Sequence, residues 1–184
     1  MNSGTGQTIE RLIATEDWSS ARRAIERALT TSPDDHWLLT RLGLTCYEQR
    51  RYKRALQYAE RGLALSPACP LVLWDYAGTL QMLGRHDEAI AVYRRLIRRG
   101  ARRIALGRCG EGLAKARGLV ADCHLRMADS YRALGDPAAA DRAFATHLDL
   151  RGPGCRSSYK LGDLSKRNRW TWQRRASLNA MRRS

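Results

Sequence analysis

The chain has 184 residues, 33 Lys plus Arg against 18 Asp plus Glu, and a formal net charge of +15. Its 43% of hydrophobic residues supplies enough apolar material for a packed core, which excludes a wholly disordered chain. No apolar run approaches the roughly 18 residues of a membrane span, and the charge is uneven: residues 151–184 hold 10 basic and 1 acidic side chains, so +9 of the +15 falls there.

Residues 1–9 lack the basic and apolar regions of a secretory signal, and Asn2 stands where N-myristoylation requires Gly. The five cysteines, Cys46, Cys69, Cys109, Cys123 and Cys155, are odd in number, scattered and without a C-x-x-C pair. That pattern fits reduced thiols and a cytoplasmic location.

A period of 34 residues follows. Trp18-Ser-Ser-Ala21, Tyr52-Lys-Arg-Ala55 and His86-Asp-Glu-Ala89 align, and Pro33 and Pro67 share the spacing. Small residues fall at Gly43, Ala77 and Ala128 in the first helix of a pair and at Ala21, Ala55, Ala89 and Ala140 in the second. Large ones fall at Leu39, Leu42, Tyr76, Leu80, Tyr93, Met127, Tyr131 and Phe144. Helices approach to about 8–10 Å only where the contacting side chains are small. The chain resembles the tetratricopeptide repeat family, an antiparallel helix pair every 34 residues.

The resemblance implies an all-α fold: an antiparallel helix-pair solenoid of about four repeats, with one extended helix and a basic C-terminal tail. Residues 1–154 form the repeat domain, with copies at 2–35, 36–69, 70–103 and 121–154, and residues 155–184 form a capping segment and tail. The first helix of the first copy, which contains Gly4 and Gly6, is expected to be partial. Residues 104–120 break the period. From Glu111 onward, Leu113, Ala116, Val120 and Cys123 or His124 recur at helical spacing, predicting one long helix over about residues 111–134 after a loop with Gly107 and Gly110. The Gly-rich stretch lacks a preceding strand and the Lys-Ser/Thr of a phosphate loop, so it reads as a connector.

The family's concave face is lined by the second, fifth, ninth, twelfth and thirteenth places of each copy. These give Trp37, Thr40, Leu44, Tyr47 and Glu48, then Leu71, Trp74, Gly78, Gln81 and Met82, then Asp122, Leu125, Asp129, Arg132 and Ala133, with Arg41, Asp75 and Arg126 flanking. The Lys/Asn clamp by which some members hold a terminal carboxylate cannot be assembled, because Asn2 is the only Asn in the first 167 residues. Trp37, Arg41, Leu44, Tyr47, Trp74, Asp75, Gln81, Arg126 and Asp129 are the candidate partner-binding residues, since aromatics and Arg dominate protein interfaces.

After Pro153-Gly154, Ser157 or Ser158 is a candidate cap for a short helix carrying Tyr159, Leu161 and Leu164. Lys166, Arg167, Arg169, Trp170, Trp172, Arg174 and Arg175 then combine positive charge with indoles. Nucleic acid, an acidic protein surface or a neighbouring copy in an oligomer each fits such a tail. A membrane surface fits less well without a sustained amphipathic stripe.

His36, His86, His124 and His147 are far apart, no hydrolase or zinc signature is present, and no paired carboxylates stand out. His124 falls at a core-facing place, and Cys123, His124 and Cys109 match no ligand spacing. The expectation is therefore no catalytic residue, no metal site and no cofactor. The sequence reads as a cytoplasmic adaptor or scaffold subunit that binds a protein segment in its groove, with a nucleic-acid-associated subunit acting through its tail as the alternative.

Overall fold

Local chemistry sets where each helix begins. The carboxylates of Asp17, Asp35 and Asp136 accept hydrogen bonds from the first free N–H groups of the helices they precede. Pro70 opens α5, and Pro137 follows Asp136 at the start of α8, where a missing N–H costs nothing. In the computed structural model, which describes residues 3–160, the result is α1 (Ser3–Ala14), α2 (Trp18–Thr31), α3 (His36–Glu48), α4 (Tyr52–Leu65), α5 (Pro70–Met82), α6 (His86–Leu106), α7 (Leu113–Ala133) and α8 (Pro137–Asp149). Among the described residues there is no strand, and no helix is long and apolar enough to cross a membrane.

Consecutive helices pack against one another, and α3 also touches α5, as a stacked series of antiparallel pairs requires. The small residues sit at the crossings: Ala21, Ala77, Ala89, Ala128 and Ala140 have no exposed surface. A Cβ added at Gly43 would already touch Tyr58 Cβ at 3.5 Å and the Ala55 carbonyl at 3.6 Å, so α3 and α4 have no room for more. The larger core runs from Leu73, Leu80 and Tyr93 to Met127, and a smaller one gathers Ile9, Ile25, Leu38 and Leu42. Burial of Ile9 anchors α1, which forms over 12 residues despite Gly4 and Gly6 rather than as the partial helix expected.

The turn inside each pair has a left-handed residue at the same place. Gly84 (φ 77°) and Gly135 (φ 81°) suit that conformation, whereas Glu16 (φ 57°) and Arg50 (φ 58°) hold it without glycine.

The residues that break the period are divided between two helices. α6 continues to Leu106, bending at Gly100 (φ 74°), and α7 starts at Leu113, within two residues of the expected start. The loop between them, 107–112, turns back so tightly that a Cβ on Gly110 would overlap the Ala105 carbonyl.

Two expectations need correction. Residues 155–160 form no helix, because the Ser157 hydroxyl and the Ser158 N–H donate to Asp122 on α7 instead of capping one. Leu161, Leu164 and the tail residues Lys166, Arg167, Arg169, Trp170, Trp172, Arg174 and Arg175 lie outside the described residues. His124 is only half-buried; the histidine in the core is His147, whose Nδ1 lies 2.8 Å from the Ala121 carbonyl.

Candidate protein-binding groove

The repeat register places Arg41, Asp75 and Arg126 at the same position of α3, α5 and α7, so one row of three charges crosses the first helices of three successive pairs. Asp75 and Arg126 of this row, though not Arg41, line a cavity of about 110 Å³ together with Leu44, Tyr47, Glu48 and Trp74. Five of the nine candidate residues, Leu44, Tyr47, Trp74, Asp75 and Arg126, thus meet in one place.

Their surroundings are asymmetric. Arg41 donates from Nε to Glu10 on α1 at 2.7 Å and stacks over the Trp37 ring at 5.3 Å. The Arg126 guanidinium lies over the rings of Trp74 and Tyr159, at 5.8 and 5.7 Å, and its Nη1 is 3.5 Å from the side-chain oxygen Oε1 of Gln81. Both cations therefore have other contacts, and Asp75, between them, keeps one carboxylate oxygen, Oδ2, buried without a hydrogen bond. Desolvation raises the Asp75 pKa to about 7, with Glu48 adding to the rise and Arg41 and Arg126 opposing it. A buried carboxyl group balanced near neutrality, with one acceptor unused, is a group that gains from an N–H or O–H donor.

The remaining candidates are placed differently. Trp37 lines a second, larger cleft of about 670 Å³ rather than this cavity, and Trp74 borders both. Each indole also packs on a core cluster, Trp74 edge-on to Tyr93 at 5.7 Å, so both serve structure and surface together. Gln81 is a buried strut: its amide donates to the Arg126 carbonyl at 2.9 Å and to the Ser130 hydroxyl at 3.1 Å, tying α5 to α7. Asp129 pairs with Arg132 at 3.4 Å along α7. Asp122 and Leu125, expected on the concave face, are buried, Asp122 beneath the segment that follows α8.

The sequence suggests a short capping helix for that segment, not the crossing of α7 that it makes. Arg156 N–H donates to the Ala114 carbonyl at 2.9 Å, and the backbone crosses α7 so closely at Gly118 that any Cβ there would overlap the Arg156 carbonyl. The signal was Gly118 inside a predicted helix, where glycine without a reason is unfavourable.

Stacked antiparallel pairs with small residues at their crossings and a lined groove define a helical-repeat interaction scaffold. The chain belongs to the tetratricopeptide repeat family: one model of the repeat matches residues 9–70 and 40–104, and a second matches 122–146. Solved structures with a similar fold include MamA MSR-1 C2, at 23% identity over 76% of this chain and 70% of that one, TM-score 0.54. MamA AMB-1 C2221 is alike at 24% identity over 76% and 72%, TM-score 0.54. No curated protein sequence matches the chain.

Proposed function

We propose that the chain is a non-catalytic cytoplasmic adaptor, part of a larger assembly, that holds a segment of a protein partner in the groove across α3, α5 and α7. The observation that carries this reading is Asp75, which lines a cavity with Tyr47 and Trp74 and keeps its buried Oδ2 without a hydrogen bond. The partner segment supplies an N–H or O–H group to that oxygen and an apolar side chain against the two rings.

The test begins with tagged full-length protein purified from its native cells, with and without nuclease, and a partner identified by mass spectrometry. Titration of that partner against Trp74→Ala should show a loss of about 2 kcal/mol, roughly thirtyfold. Unchanged affinity removes the groove from the proposal. A second reading rests on the basic, Trp-containing stretch from Lys166 onward, which carries no acidic residue. If everything bound is lost with the nucleic acid, and affinity falls linearly with salt on a log–log plot, that tail is the functional element.

A further inference from the structure

The loop that breaks the repeat period has a consequence apart from the groove. His36 is the first residue of α3, and Cys69 is the residue just before α5, so repetition of the fold brings both to the same edge of the solenoid. The 107–112 loop returns to that edge and adds Cys109. The imidazole nitrogen and the two sulfurs then lie within 4.8 Å of one another, with Cys109 Sγ 3.3 Å from His36 Nε2.

We propose that His36, Cys69 and Cys109 bind a thiophilic divalent metal ion of the Zn²⁺ class, with a fourth coordination position open to the adjoining cleft.

The distances suit such an ion. Zn–S of about 2.3 Å and Zn–N of about 2.0–2.1 Å at tetrahedral angles put ligand atoms roughly 3.6–3.8 Å apart. The observed triangle reaches that by movements of about 1 Å or less, well within the reach of side-chain rotation. Two sulfurs and an imidazole select zinc-like ions over Mg²⁺ or Ca²⁺, which require oxygen ligands.

The three side chains are held in place by the backbone around them. Cys69 stands before α5 where Asp35 stands before α3, and its sulfur lies in the cluster with His36 and Cys109. Arg95 and Arg99 on α6 donate to the carbonyls of Pro67 and Ala68, fixing the approach to Cys69. Gly110 lies flat against the Ala105 carbonyl and the Gly110 N–H donates to Gly107 at 2.8 Å, fixing the turn that presents Cys109.

Charge agrees as well. A divalent ion with two thiolates and a neutral imidazole is neutral, so Arg108 and Lys115 on the same cleft do not oppose it. Glu111, the acidic group lining that cleft, is paired with Lys115 at 2.9 Å. Loading releases one proton from each thiol into solvent and needs no oxidant. The bound ion ties the loop to the starts of α3 and α5, and its open position lies beside Trp37 in the cleft of about 670 Å³, where water or a partner's donor can complete the tetrahedron.

The experiment uses the full-length reduced protein and Co²⁺ as the probe, displaced afterwards by Zn²⁺. One equivalent per chain should develop a thiolate-to-cobalt charge-transfer band with the intense d–d absorption of a tetrahedral site. Cys69→Ser and Cys109→Ser should lose the band, His36→Asn should weaken or shift the d–d absorption, and Cys155→Ser should leave both unchanged. Zn²⁺ should raise the thermal midpoint of the parent and not of Cys109→Ser, whose fold is checked by far-ultraviolet circular dichroism. The proposal is overturned by the absence of a stoichiometric band, by a band that survives loss of both Cys69 and Cys109, or by a Cys69–Cys109 disulfide that after reduction takes up no Co²⁺. Because no partner is involved, failure here leaves the groove untouched.

Discussion

Asp75 on α5 and Asp122 on α7 are two carboxylates withdrawn from solvent on neighbouring helices, and the chain treats them in opposite ways. Asp122 receives the Ser157 hydroxyl at 2.6 Å and the Ser158 N–H at 2.7 Å from the protein's own segment after α8. Asp75 receives no such segment and keeps Oδ2 without a partner. At Asp122 an extended stretch of the protein's own chain brings a hydroxyl and an amide to a buried aspartate and lays Tyr159 against Arg126. The difference is that the chain's own segment satisfies Asp122, at an earlier register place than the row of Arg41, Asp75 and Arg126, and leaves Asp75 Oδ2 without a hydrogen bond.

The most severe way to break the comparison is to force the internal segment away. Gly118→Val puts a branched side chain where the Arg156 backbone crosses α7. Displacement removes both hydrogen bonds from Asp122, and a loss of about 2–4 kcal/mol of stability is expected. Chemical denaturation measures it. A loss below 0.5 kcal/mol, on the order of a neutral surface change, would mean that the segment contributes little and that Asp122 does not need it.

A milder change acts on the other aspartate. Since burial raises the Asp75 pKa to about 7, the folded state holds a proton over a range where the unfolded chain, with an ordinary value of 3.8, has lost it. The folded state thus binds more protons, and stability from this group falls as pH rises from about 4 to about 7. Asp75→Asn should match the parent at pH 4 and exceed it by about 1–2 kcal/mol at pH 8. Parallel stability curves across that range would show that Asp75 is solvated rather than held ready. For partner binding the sign reverses: a donor aimed at Oδ2 prefers the ionised form, so affinity should rise through pH 7 in the parent and stay flat in the variant.

The same contrast explains what could be read in advance. The 34-residue spacing of Ala21, Ala55 and Ala89 encodes close helix crossings, and a crossing admits only small residues, so the fold is written in sequence. Register also brings Leu44, Tyr47, Trp74, Asp75 and Arg126 to one cavity. Register says nothing of contacts made by chain outside the repeats. Asp122 falls at a place that lines the concave face in the family, and only the segment that crosses α7 at Gly118 shows it already covered. Likewise His36, Cys69 and Cys109 are 33 and 40 positions apart, a separation that no local ligand motif spans. A loop outside the period brings them together.

The smallest effect sharpens the comparison at a single hydrogen bond. Burial raises the Asp122 pKa, and the Ser157 hydroxyl, followed by the Ser158 N–H, is what restrains that rise. Ser157→Ala removes the first of these and keeps the second. It also removes the acceptor for the Tyr159 N–H, 3.0 Å from the Ser157 oxygen. The neighbouring His147 offers little replacement, since burial lowers its pKa and its Nδ1 lies 3.8 Å from the carboxylate. About 1 kcal/mol should be lost while Asp122 is ionised, because a hydroxyl bound to a charged carboxylate is worth more than one bound to its acid. The loss should shrink as pH falls through the Asp122 pKa, and that pKa, followed by carboxyl-carbon NMR, should move further up in the variant. A deficit independent of pH would assign Ser157 to shaping the turn at Tyr159, and Asp122 would then owe its partner to the Ser158 amide alone.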